Sequence, residues 1–266
     1  MDEATKRLLT RQANSEMAAY IRRHSVALGL YSGAEHPEIG SGTCVSVGER
    51  FFVATAAHNI HHQSENSISI VHTNQPESER VPISALHWSG GERGQPEDVG
   101  LIELEPEVAH SLKRDFLSLD RVSENPPPLE EGWLFLFGFP SQLVPSDRAA
   151  TGIYAYSSIG FITLGVPVSQ YPDSASRSLD WVLEYPETGE VGWDDRAFPM
   201  PDPFGVSGGS IWFLNPNEAT PLVGSHNARW VGIQHSWVRS RRLAIGNRIS
   251  VWLTLVKEHY PGLLAA

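Results

Sequence analysis

Three short segments carry the residue types that nucleophilic catalysis requires. Ser207 stands in Gly205-Val206-Ser207-Gly208-Gly209, where flanking glycines permit a tight turn that exposes a hydroxyl and directs backbone N–H groups inward. A serine hydroxyl is a poor nucleophile at its own pKa. It needs a base to take its proton and donors to hold the oxyanion that forms on attack at a carbonyl. His58, closing Val53-Ala54-Thr55-Ala56-Ala57-His58, is the candidate base. Asp98, heading the apolar run Asp98-Val99-Gly100-Leu101-Ile102-Glu103-Leu104, is the candidate for orienting the imidazole.

Other residues compete for these roles. Cys44 lies in an apolar stretch and reads as a buried small hydrophobe rather than a nucleophile. His58, His61 and His62 have spacings that could gather imidazoles on one helical turn, but no H-E-x-x-H motif or paired cysteines accompany them, so neither a metal nor a cofactor is expected. Asp115, Asp120 and Asp147 could orient a histidine in principle; of these four acids only Asp98 heads an apolar strand. The α/β-hydrolases also use a G-x-S-x-G turn, followed by a helix and later a histidine. His226, His235 and His259 do follow Ser207, but Ser210-Ile211-Trp212-Phe213-Leu214 reads as a strand. An esterase of that fold is therefore disfavoured.

The elements that must position these residues are mostly short strands. Residues 1 to about 27 read as a helix, with Leu8, Leu9, Ala13, Met17 and Ile21 at loose helical spacing, and form an N-terminal helical extension over 1–30. From Gly40 the period becomes two. Thr43–Val47 and Phe51–Thr55 flank a Gly48-Glu49-Arg50 hairpin signal, and Ser67–Thr73, Val81–Trp88 and Gly100–Glu105 complete a first set. Pro106–Leu129 is polar and runs into Asn125-Pro126-Pro127-Pro128, a connector that cannot continue a ladder. A second set follows: Trp133–Phe139, Gly152–Tyr156, Ile159–Val166, Leu179–Tyr185, Ser210–Leu214, Arg229–His235 and Arg242–Ile245. No βαβ alternation appears, so the fold class is all-β, two antiparallel barrels over 31–125 and 126–266. His58 and Asp98 come from the first, Ser207 from the second, and a peptide substrate would lie in the crevice between them.

Composition narrows the function further. Of 266 residues, 41% are hydrophobic, with 23 glycines and 19 prolines, which suits a turn-rich β protein. No apolar run approaches the roughly 20 residues of a membrane span, and no membrane partner is expected. A formal net charge of −11 argues against a nucleic-acid partner, since phosphate binding needs surplus Lys and Arg. The charged start Met1-Asp2-Glu3-Ala4-Thr5-Lys6-Arg7 does not read as a signal peptide. Cys44 is the single cysteine, so no internal disulfide forms and a reducing, cytoplasmic location is expected.

Taken together, the T-A-A-H box, the Asp98 strand and the Gly205–Gly209 turn resemble the trypsin-like (chymotrypsin-fold) serine proteases, in the same His, Asp, Ser chain order. Trp230-Val231-Gly232-Ile233 is similar to the family's strand after the nucleophile, and the amphipathic run Arg248–Tyr260 to its C-terminal helix. The resemblance covers about Gly40 to Tyr260. It implies two six-stranded barrels, a His58-Asp98-Ser207 triad and an oxyanion hole made by the N–H groups of Gly205 and Ser207. It implies a serine endopeptidase acting on protein substrates, with a catalytically silent binding module as the alternative.

Three departures from the family stand out. Asn59 holds the place where relatives commonly carry a bridged cysteine. Val206 stands where zymogens have the aspartate that pairs with a freshly cut N-terminus, so constitutive activity or control by a regulatory protein partner is expected instead. Pro201 lies where trypsin has its pocket aspartate, so a basic preference is not implied, although Asp202 is adjacent. His235, Ser236 and Trp237 fall near the pocket-lining strand. Some glutamate-specific relatives use a histidine close to this position, to which Arg239, Arg241 or Arg242 could add positive charge. A histidine touching the triad acid is the competing reading of His235.

Overall fold

The computed structural model describes residues 3–30, 38–61, 63, 68–71, 82–92, 95–127, 133–143, 157–191, 194–214 and 227–264. They form two six-stranded antiparallel sheets, each curled into a barrel, with helices at the chain's start and end. The first sheet contains β1 (Ser25–Leu30), β2 (Glu38–Val47), β3 (Arg50–Thr55), β4 (Ile68–Val71), β5 (Ile83–Gly90) and β6 (Asp98–Leu104), in the order β4-β1-β2-β3-β6-β5. The second contains β7 (Trp133–Gly138), β8 (Ile159–Thr163), β9 (Asp180–Glu184), β12 (Ser210–Leu214), β13 (Ala228–Val238) and β14 (Leu243–Arg248), in the order β8-β7-β12-β13-β14-β9. A separate hairpin pairs β10 (Thr188–Val191) with β11 (Asp194–Pro199).

Several strands are apolar on both faces because both faces are covered. In β7, Leu134 and Leu136 fill the second barrel, while Phe135 and Phe137 face a separate core between the barrels. β12 repeats the pattern, with Ile211 and Phe213 inside and Trp212 and Leu214 in the shared core. In the first sheet Cys44 and Val53 point inward, and Val45 and Phe52 join the shared core. Alternation is therefore between two apolar environments, not between core and water. The shared core is rich in aromatic area: Trp212, Trp230, Trp252 and Phe52 are fully buried.

Helices close this core from two sides. α1 (Glu3–Arg23) places Ala13, Met17 and Ile21 on one stripe at four-residue spacing, and all three are buried. Asn14 Oδ1 accepts the Ile162 N–H at 2.8 Å, satisfying a donor on edge strand β8. A short α2 (Pro106–Ser111) has proline at its first turn, where the missing N–H costs nothing. α3 (Ile249–His259) buries Ile249, Trp252, Leu253, Leu255 and Val256. Beyond it, the Tyr260 hydroxyl donates to Glu103 Oε2 at 2.7 Å and so ties the C-terminal segment to the first barrel.

Two expectations need correction. The N-terminal helix ends at Arg23, and Ser25–Leu30 is a strand of the first sheet, not part of a helical extension through residue 30. No Gly or Pro separates Ser25–Leu30 from the helical spacing that ends at Ile21, and long-range pairing with β2 and β4 decides its conformation. The polar connector after Leu104 contains α2, which its proline content obscured. The expected strand 152–156 and parts of the expected strands at 67–73 and 81–88 lie outside the described residues. Among the described residues no helix is long and apolar enough to cross a membrane.

Because α1 is part of the core, truncating its stripe should be costly. Ile21→Ala is expected to destabilise the fold by about 2–5 kcal/mol, the usual loss for a fully buried large aliphatic residue. Urea denaturation of the variant beside the native chain measures it.

Candidate active site

β3 ends at Thr55, and a 3-10 turn over Ala57–Asn59 carries His58 out of the first sheet. Asp98 begins β6, hydrogen-bonded to β3 along Phe51–Thr55. This pairing brings the two residues together. His58 Nδ1 lies 2.7 Å from Asp98 Oδ2, and the His58 backbone N–H donates to Asp98 Oδ1 at 3.0 Å. Burial pushes the Asp98 carboxyl up, but the hydrogen bond from His58 and the charges of His58 and His235 outweigh it. Its pKa is therefore held below the ordinary carboxylate value, and the group stays ionised.

The Ser207 turn is set by two glycines in the left-handed region, Gly205 at φ +92 and Gly208 at φ +87. A Cβ on Gly208 would lie 1.9 Å from the Ser41 carbonyl oxygen, so no other residue fits. Within the turn, the Val206 N–H goes to the Pro203 carbonyl, the Gly208 N–H to Gln234 and the Gly209 N–H to Val206. Among the described residues nothing accepts the N–H of Gly205 or of Ser207. Two N–H groups of this turn, on either side of Val206, are thus left without a backbone acceptor.

The His58 turn and the Ser207 turn are in direct contact. Asn59 Nδ2 donates to the Ser207 carbonyl at 2.9 Å and to Thr55 Oγ1 at 3.0 Å, and the Ser41 N–H reaches the same Ser207 carbonyl at 2.8 Å. The Ser41 hydroxyl donates to the Gly205 carbonyl at 2.9 Å. Ser207 Oγ itself donates to the His235 carbonyl at 3.3 Å.

The residues expected near the specificity pocket are distributed differently. A β-bulge between Gln234 and Ser236 makes His235 the extra residue of β13 and turns its ring onto two carboxylates. His235 Nδ1 lies 3.9 Å from Asp98 Oδ2, and Nε2 lies 3.4 Å from Asp180 Oδ1. This is the geometry of a histidine facing the acid, with each ring nitrogen turned toward a carboxylate. Trp237 packs edge-on against Tyr185, with ring centroids 5.0 Å apart, and the Tyr185 hydroxyl donates to the Pro201 carbonyl at 2.9 Å. Ser236 is half-buried, its carbonyl taken by Gln234 Nε2. Asp202 is engaged locally: its N–H goes to Gln142 and its Oδ1 accepts the Phe204 N–H. Arg241 donates to the Gln170 carbonyl, and Arg242 donates to the Tyr185 carbonyl while lying over the Trp237 ring. Arg239 extends into solvent, with one nitrogen 4.0 Å from Asp202.

The rival residues lie elsewhere. Cys44 is fully buried, and burial pushes its thiol up to about 12. Asp115 pairs with Arg23 at 3.5 Å and Asp120 bonds Ser118. His259 stacks on His87, 3.9 Å between centroids. His62, Asp147 and His226 lie outside the described residues. Among the described residues no three His, Cys, Asp or Glu side chains gather as a metal site. Sequence reasoning missed Asp180, Asn247 and Ser41. Asp180 carried a signal, since it heads an apolar strand just as Asp98 does.

No protein-family profile and no curated protein matches the sequence. Solved structures do share its fold, which is that of the trypsin and chymotrypsin type. The scabies mite inactivated protease paralogue S-D1 superposes with a TM-score of 0.57 at 12% identity, covering 91% of this chain and 94% of its own. The thermostable serine protease AL20 from an extremophilic microorganism gives 0.55 at 12%, covering 90% and 98%. Human heparin binding protein gives 0.56 at 15%, covering 90% and 93%. Identities this low establish architecture, and the neighbours include a chain described as inactivated. Activity has to be argued from the site.

Two outcomes follow. Asn59→Ala removes both donors of a buried amide and should lower stability by about 1–3 kcal/mol, read as a drop in urea midpoint at unchanged m-value. Cys44 should resist iodoacetamide at pH 8 in the folded protein and react once the chain is unfolded; rapid labelling of the native state would contradict its burial.

Proposed function

We propose that this protein is a serine endopeptidase using His58, Asp98 and Ser207. The observation that carries the proposal is the junction of the two turns. An imidazole held by a half-buried carboxylate at 2.7 Å lies one residue from Asn59, which bonds the Ser207 carbonyl, and the Ser207 turn keeps two backbone N–H groups unused. Serine proteases among the fold neighbours support the same class of chemistry.

In this mechanism Ser207 Oγ rotates from the His235 carbonyl to His58 and attacks the scissile carbonyl carbon as His58 Nε2 takes its proton. Asp98 keeps the other proton on Nδ1 and stabilises the imidazolium. The carbonyl oxygen becomes an oxyanion, held by the Gly205 and Ser207 N–H groups. Collapse breaks the C–N bond, with His58 returning its proton to the leaving amine. Water then attacks the acyl-serine ester by the same route, releasing the acid and restoring Ser207. Substrate is a peptide strand in the inter-barrel crevice.

Val206 is fully buried and apolar, so it offers no carboxylate to a freshly cut N-terminus. The active conformation then arises constitutively or through a regulatory protein partner. The single, buried cysteine is compatible with a cytoplasmic enzyme. A silent binding module is the competing reading, favoured by the present direction of the Ser207 hydroxyl.

The two separate cleanly. Native protein should react with a fluorophosphonate serine probe and hydrolyse an active ester, and Ser207→Ala should lose the labelling and about 10⁶-fold in turnover. Equal hydrolysis by both, or no labelling of the native chain, would remove the assignment.

A further inference from the structure

Behind Asp98 stand a second acid and a second imidazole that the reaction above does not use. Asp180 begins β9 and its side chain is 1% exposed. Both its oxygens are engaged. Oδ1 accepts from Asn247 Nδ2 at 2.6 Å and lies 3.4 Å from His235 Nε2, and Oδ2 accepts the Ser176 N–H at 2.7 Å. Asn247, itself fully buried, joins the two acids, because its Oδ1 accepts the Asp98 N–H at 2.7 Å. The His235 side chain, 9% exposed, lies between the carboxylates, with Nδ1 at ion-pair distance from Asp98.

Proton counting decides what such a ring does. A buried carboxylate facing a bare ring nitrogen is repelled by its lone pair and left without compensation, which is costly. A carboxylate stands at each ring nitrogen of His235, and both are served at once only when Nδ1 carries a hydrogen and one further proton sits between Nε2 and Asp180, on either partner. That Nδ1–H faces Asp98. The other titratable or charged groups on the packed elements are His58, on the far side of Asp98, Tyr171, whose hydroxyl donates to the Asp180 carbonyl at 3.3 Å, and Arg248, stacked 3.9 Å over Trp181.

We propose that Asp180 and His235 form a positioning pair, in which Asp180 orients His235 so that its Nδ1–H edge faces Asp98 at 3.9 Å, an electrostatic contact longer than a hydrogen bond. The arrangement repeats, one layer deeper, the relation of Asp98 to His58. It rests on the His58-Asp98-Ser207 reading. It adds two residues that touch no substrate yet steady the carboxylate that steadies the base.

The variants are Asp180→Asn, His235→Ala and their double. Asp180→Asn keeps the volume but offers the ring only an oxygen acceptor or an amide donor. In its preferred orientation toward Asn247 it takes Nε2–H and strips Nδ1 of its hydrogen. Each single change should lower kcat by about 10- to 100-fold, as expected for a small misplacement of a catalytic group, with KM within about twofold. The double should lose no more than His235→Ala alone. In a Ser207→Ala background, the low-field NMR resonance of the proton between His58 Nδ1 and Asp98 should move upfield in each variant. Folded variants with unchanged kcat and an unmoved resonance, or losses that add in the double, would overturn the proposal. Where native protein neither hydrolyses ester nor takes the serine probe, the functional reading falls, and the NMR resonance still decides the pair.

Discussion

A carboxylate withdrawn from water has to be surrounded by donors, and Asp98 draws on both halves of the molecule. His58 supplies a ring N–H and a backbone N–H from the first barrel. From the second barrel, Asn247 takes the Asp98 N–H and His235 faces the same carboxylate oxygen as His58. Leaving such a group unpaired costs several kcal/mol. The end of β6 is therefore held against β13 and β14. The pairing of His58 with Asp98 and the docking of the barrels are one problem with one solution.

Without disulfides, that docking depends on packing and on buried amides. The shared core gathers Trp212, Trp230 and Trp252 between the barrels, closed by α1 on one side and α3 on the other. Asn59 does locally what a covalent bridge would do. Its two amide hydrogens join Thr55 to the Ser207 carbonyl, and a Cβ on Gly40 would come within 2.8 Å of its Nδ2. A hydrogen-bonded amide is weaker than a bridge, but it holds the His58 turn against the Ser207 turn in any redox environment.

What could be read in advance followed local chemistry. Ser207 between glycines, His58 after a small-residue strand end and Asp98 before an apolar run are each recognisable from their neighbours, and the structure brings the three segments to one junction. β1 was misread because no Gly or Pro separates it from the helical spacing that ends at Ile21, and only its partners β2 and β4 mark it as a strand. Asp180 bore the same local pattern as Asp98 and was passed over, because nothing nearby in the chain says that it meets a histidine 55 residues away. His235 was open to two readings, near the pocket or touching the Asp98 acid, and one extra residue in β13 turns its ring toward Asp98 and Asp180.

Residue chemistry and strand periodicity belong to the sequence alone: an all-β chain of two halves, a hydroxyl, an imidazole and a carboxylate in a given order, and no possibility of an internal disulfide. Which carboxylate meets which imidazole belongs to the tertiary structure. The cause is physical. Local patterns set which face of a strand is apolar, whereas the meeting of Asp98 with His58, and of Asp180 with His235, depends on ladder register, a bulge and the burial of charge between barrels. Those are properties of pairings far apart along the chain.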